Sequence, residues 1–188
     1  MVRRTEEKVN RKAASTGKSQ RRPQLDVLNA KEIKALNVTL KEAFGFTIPK
    51  SCTLLRGRKD KINIVNRDIG KLNLAGLRIE RAGLYFCSLD KYGIRLSIEG
   101  SQLFRKEISK NVIEITYPQL RLWLFGKDLE LSEEQVEAVG KELGTFYVLH
   151  HQDDFCGCGR LIQENNGTET KSIVQNFVPK ERRTGTVE

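Results

Sequence analysis

Two histidines and two cysteines, His150, His151, Cys156 and Cys158, lie close together in the chain, and neutral imidazole with thiolate is a donor set that zinc accepts. The spacing argues against a metal centre. Neighbouring strand residues face opposite sides, and Cys-x-Cys is tighter than the usual Cys-x-x-Cys knuckle. Cys52 and Cys87 complete a set only by converging from elsewhere. No metal is expected, and the four cysteines read as thiols, buried or half-buried. Asp153 and Asp154 suit a turn better than an acid–base pair, and there is no G-x-S-x-G elbow. No catalytic residue and no cofactor is expected.

A second chemistry is cationic. Arg160 follows the glycines Gly157 and Gly159 in a strand-like run, and Lys180, Arg182 and Arg183 follow Pro179, whose fixed φ limits the swing of the chain. A guanidinium fork pairs with phosphate bidentately or stacks on a base. Glycines within a strand admit close approach of a backbone or a flat ligand. The net charge of +9 is unevenly placed: Met1 to Arg22 holds eight basic and two acidic residues. Arg3, Arg4, Arg11, Lys12, Arg21 and Arg22 of this tail are candidate phosphate contacts through counterion release, in a segment expected to be disordered. The turn at Arg56 to Lys61 reads as a solvated loop, or as a further phosphate contact.

These residues need elements to position them. Leu28, Asn29 and Glu32 carry a staple and a capping box for one short helix, and Thr39 with Glu42 repeats the spacing for a second, stopped by Gly45 and Pro49. From Thr53 to Ser97 the period approaches two. Strands are expected at Lys61–Ile64, Leu77–Glu80, Leu84–Phe86 and Ile94–Leu96, as a meander with one wet face. A strand at Val112–Ile115 leads into a helix with Pro118 early and Trp123 on its apolar stripe, so Trp123 belongs to the core. Ser132 caps another helix. Phe146–Leu149 and Phe155–Leu161 then form a hairpin around His151–Asp154.

The order glycine, hydrophobic strand, acidic turn, G-x-G-R strand and N-F-V-P-K-x-R-R resembles the PUA-like RNA-binding domain at the tail of rRNA 5-methylcytosine methyltransferases. More loosely, it is similar to PUA domains of ribosome-biogenesis and tRNA-modifying proteins. The match falls on Gly144, Asp154, Gly157, Gly159, Arg160, Asn176, Pro179, Lys180 and Arg183. Trp123 to Leu131 resembles the opening of the same domain. The resemblance implies RNA contacts at Gly157, Gly159, Arg160, Asn176, Lys180, Arg182 and Arg183. It does not extend to methyl transfer: the chain has no glycine-rich strand-to-helix loop for that cofactor and no Pro-Cys dipeptide.

The expected fold class is α+β: a basic tail (1–23), an N-terminal α/β domain (24–110) and a PUA-like β-barrel (111–184). The expected function is non-catalytic recognition of structured RNA, rRNA or tRNA, as an accessory to ribosome biogenesis or RNA modification. The partners would be RNA and an RNA-modifying enzyme or pre-ribosome, not DNA or membrane. The alternative is an adaptor whose barrel grips a protein. No apolar run nears the about eighteen residues of a membrane span and no secretory h-region is visible, so a cytoplasmic protein is expected.

Overall fold

A computed structural model describes residues 26–57, 60–71, 82–139, 142–165, 167 and 169–185. The basic tail and the strand expected at Leu77–Glu80 lie outside the described residues. Within them, four α-helices and ten strands form an α+β architecture. The first sheet joins β1 (Asp26–Val27), β2 (Cys52–Arg56), β3 (Lys61–Asn66), β4 (Leu84–Asp90) and β5 (Gly93–Leu96), antiparallel and in chain order. Helix α1 (Ala30–Phe44) crosses from β1 to β2 and buries Leu36, Leu40 and Phe44.

The two short helices expected before Pro49 are one. Asn29 and Glu32 do close a capping box. The second capping signal at Thr39 is a mid-helix threonine whose hydroxyl donates to the Ala35 carbonyl at 3.3 Å, and no breaker interrupts the turn before Gly45 (φ +86°). A threonine back-bonded to the preceding turn sits inside a helix without starting one.

The second sheet has the order β6-β8-β9-β10-β7, with β6 (Val112–Glu114), β7 (Leu129–Glu130), β8 (Phe146–His151), β9 (Asp154–Asn165) and β10 (Thr170–Gln175). β6 runs parallel to β8. Helix α2 (Ile98–Leu103) precedes this sheet, while α3 (Tyr117–Leu124) and α4 (Glu133–Val139) fall between its strands. α3 starts on a Thr116–Gln119 capping box with a proline in its first turn, and Ser132 accepts from Gln135 N before α4.

This sheet is open, which corrects the expected β-barrel. Its edge strands β6 and β7 have three and two residues and do not pair with each other. The apolar run Phe146–Leu149 instead fills both faces of the sheet: Phe146 and Val148 join the core built by α1 and the first sheet, whereas Tyr147 and Leu149 join Trp123, Ile113 and Leu129. A strand covered on both sides by separate layers has no need of closure. Nor is the N-terminal unit built of parallel βαβ crossovers; its ladder is wholly antiparallel among the described residues.

The two sheets meet where β5, the edge of the first, abuts β8 and β9 of the second. α2 bridges the same boundary. Ser101 is fully buried and accepts from Gly157 N at 3.0 Å, and Gln102 donates to the Phe155 carbonyl at 2.8 Å. Covering the open edge of β5 removes a template for unwanted pairing.

Candidate nucleic-acid interface

The residues singled out from the sequence do not gather at one rim. Gly157 and Gly159 are buried. A Cβ on Gly157 (φ +84°) would lie 3.2 Å from Ile98 N, and one on Gly159 would meet Val174 Cγ1 at 2.2 Å and Trp123 Cη2 at 2.8 Å. Both serve packing of helices against β9 and are closed to a ligand. Asn176 is spent internally: its amide donates to the Trp123 and Lys127 carbonyls at 2.8 and 3.0 Å, and its Oδ1 accepts from Val178 N at 2.7 Å. Arg182 pairs with Glu99. Arg183 lies over Gly126 and donates to the Val178 carbonyl at 3.1 Å. Lys180 is exposed. The tail cations Arg3 to Arg22 lie outside the described residues.

Arg160 is the exception, and it leads to a surface that the sequence did not reveal. Its guanidinium carbon sits 4.1 Å from the centre of the Tyr92 ring, and its Nη2 donates to Gln175 Oε1 at 2.9 Å. Tyr92 belongs to the β4–β5 turn, fixed by Tyr92 N donating to Asp90 Oδ1 at 2.8 Å. Lys91 Nζ also stands over that ring, at 4.8 Å. One strand further in, Arg95 stacks 4.5 Å from the Phe177 ring, which meets Phe146 edge-on. Lys61 lies 5.0 Å over Tyr85.

Strand register explains why these groups share a face. Lys61, Ser88 and Arg95 are directly paired across β3, β4 and β5, and directly opposed residues project to the same side. The ladder shifts between Ile62 and Asn63, so that Cys87 pairs with the first and Tyr85 with the second. Phe86 is thereby the extra residue of a β-bulge, which turns Tyr85 onto the side of Ser88 and Arg95. Phe86 itself goes to the core, against Phe46 and Phe104. A strict period of two would place Tyr85 and Ser88 on opposite faces.

The electrostatics of this seam are unbalanced. None of Lys61, Lys91, Arg95 and Arg160 pairs with a described carboxylate; among the described residues the ion pairs are Arg56–Glu32, Lys71–Asp68, Lys171–Glu130 and Arg182–Glu99. Three buried side-chain atoms lack a hydrogen-bond partner among the described residues: Ser88 Oγ, Arg95 Nε and Arg160 Nε. All three belong to the seam. Burial pushes the Tyr85 phenol up, opposed by the nearby Ser88 hydroxyl and the Arg95 charge; Ser88 Oγ lies toward Tyr85 without meeting hydrogen-bond geometry. The approach of Lys91, and after it Arg160, holds the Tyr92 phenol below the usual tyrosine range. Glu99 is near enough to raise the Tyr85 phenol but is paired with Arg182. Cations on aromatic faces, in no ion pair with a described carboxylate, suit a polyanion carrying flat bases.

Other chemistry finds less support. Burial raises the Cys156 thiol to about 11 and the Cys158 thiol to about 12, far from a reactive thiolate. His150 stacks on Phe155 and binds the Gln152 carbonyl through Nδ1 at 2.9 Å, while His151 binds the Ile115 carbonyl at 2.8 Å. Among the described residues, no three His, Cys, Asp or Glu side chains are grouped to hold a metal. A hollow of about 300 Å³ lies between α1 and the β4–β5 hairpin, walled by Leu36, Ile62, Leu89 and Ile94 and without Cys, Ser or His. No described helix is long and apolar enough to cross a membrane. No protein-family model and no curated protein matches the chain.

Proposed function

We propose that the protein is a non-catalytic RNA-binding protein that recognises structured RNA, rRNA or tRNA, as an accessory to ribosome biogenesis or RNA modification. The observation that carries this reading is the seam, where four cations without a carboxylate partner among the described residues interleave with Tyr85, Tyr92 and Phe177. Phosphate contacts from Lys and Arg supply affinity, and aromatic or guanidinium planes accept bases. The net charge of +9 favours the same partner. The contact surface is placed at the junction of the sheets, with Arg160 retained and the glycine pair and Asn176 set aside.

The test is the affinity of the full chain for a hairpin RNA across a salt series. Log K should fall linearly with log salt, and Arg95→Gln should flatten the slope by about 0.7–0.9, the contribution of one phosphate contact. A flat response in the native chain would overturn the reading. Co-purification of a stoichiometric, nuclease-resistant protein in place of RNA would favour the adaptor alternative.

A further inference from the structure

Resting on that reading, we infer that the seam takes an unpaired nucleotide, with its base on the Tyr92–Arg160 stack and its flanking phosphate on Arg95 and Lys61. A duplex offers side chains its phosphates and groove edges, but not the π-faces of its bases. Cations alone would therefore serve a duplex, and the rings at this seam would add nothing.

One ring of the seam, that of Tyr92, is nevertheless displayed, while Tyr85 and Phe177 are half-buried. Tyr92 is 47% exposed on a two-residue turn whose backbone is fixed by Asp90, so the ring is presented at little entropic cost. The Arg160 guanidinium lies against it at 4.1 Å, making a two-layer platform tied to the second sheet through Gln175. Lys91, the other cation over the ring, is exposed, and an incoming base can displace it toward a phosphate. Gln175 Oε1 accepts from Arg160, and the Gln175 amide NH2 is a donor that this bond does not use.

The remaining groups form the phosphate seat. Lys61, Ser88 and Arg95 make one row across three strands, with Tyr85 brought alongside by the bulge. Ser88 is 5% exposed and its hydroxyl has no partner among the described residues, as is true of Arg95 Nε. A buried hydroxyl without a partner is costly unless a ligand completes it.

The experiment compares a loop-free RNA duplex carrying a short single-stranded extension with the same duplex made blunt, using 2-aminopurine in the extension as a stacking reporter. The extended RNA should bind more tightly and its reporter should be quenched. Tyr92→Ala should weaken the extended RNA by about 5- to 150-fold, the range for one base–aromatic stack, abolish the quenching and leave the extended RNA no tighter than the blunt one, with its salt slope unchanged. Tyr92→Phe should retain both preference and quenching, which separates loss of the stack from loss of the fold. Equal affinity for the two RNAs, or a preference that survives Tyr92→Ala, would overturn the unpaired-nucleotide inference while leaving RNA binding in place. Failure of both RNAs to bind would overturn the two together.

Discussion

Replacing Gly159 by alanine separates two roles for the glycines of β9. An added Cβ would stand 2.2 Å from Val174 Cγ1, 2.8 Å from Trp123 Cη2 and 3.0 Å from the Gln175 carbonyl oxygen, all inside the roughly 3.5–4.0 Å of an optimal carbon contact. Val174 and Trp123 are both fully buried. Trp123 is further held by its indole N–H donating to the Cys156 carbonyl at 2.9 Å. Neither neighbour can retreat without disturbing the core, so the substitution should cost about 1–3 kcal/mol as overpacking. For a chain of this size that is a fall in Tm of about 2–12 °C. Thermal and urea unfolding measure the loss, and RNA affinity well below the transition should be unchanged. If Gly159→Ala leaves Tm unaltered and abolishes RNA binding, the glycine admits ligand and the packing argument is wrong.

Asn176→Ala should also act on stability and not on RNA affinity. It removes a donor from the Trp123 and Lys127 carbonyls and the acceptor of the Val178 amide at once, although the Trp123 carbonyl keeps its bond from Gly126 N at 2.9 Å, at a cost of about 1–3 kcal/mol in urea unfolding. The thiols predict a pH dependence. Burial raises Cys156 to about 11 and Cys158 to about 12 from the ordinary 9, so the unfolded chain loses these protons first. Their contribution to stability is complete below pH 9 and declines as pH rises from 9 through 11 to 12. Urea midpoints measured from pH 8 upward should be level and then fall. At pH 8 a disulfide reagent should leave Cys87, Cys156 and Cys158 unlabelled in the native chain and label them in urea, because all three are buried.

Local signals in the sequence translated well into local structure. The Asn29 and Ser132 caps, the proline in the first turn of α3 and the hairpin around Gln152 (φ +53°) each rest on contacts a few residues apart, while the core position of Trp123 followed from its place on the apolar stripe of α3. The misreadings have physical causes. Thr39 carries a capping spacing but sits mid-helix, where no breaker precedes it. Gly157 and Gly159 mark a close approach, and the partner is α2 and Trp123 in place of a ligand. The edges that would have closed a barrel are two and three residues long, and the central strand is covered on both faces by residues distant in sequence. The seam was the least legible part. Tyr92 and Arg160 are far apart in the chain, as are Arg95 and Phe177. Tyr85 reaches the seam only through a bulge that no alternation shows. The legible clue was the Lys91-Tyr92-Gly93 turn, an aromatic beside a cation where solvent exposure is certain.

Ultraviolet crosslinking of the full chain to a hairpin RNA with a single-stranded extension, followed by mass-spectrometric mapping of the nucleotide-bearing peptides, tests the seam most directly. Crosslinks should fall on the peptides containing Tyr85, Tyr92 and Phe177, and should weaken when Arg95 and Arg160 are both changed to glutamine. Crosslinks confined to peptides remote from the junction of the two sheets, indifferent to those substitutions, would contradict the account.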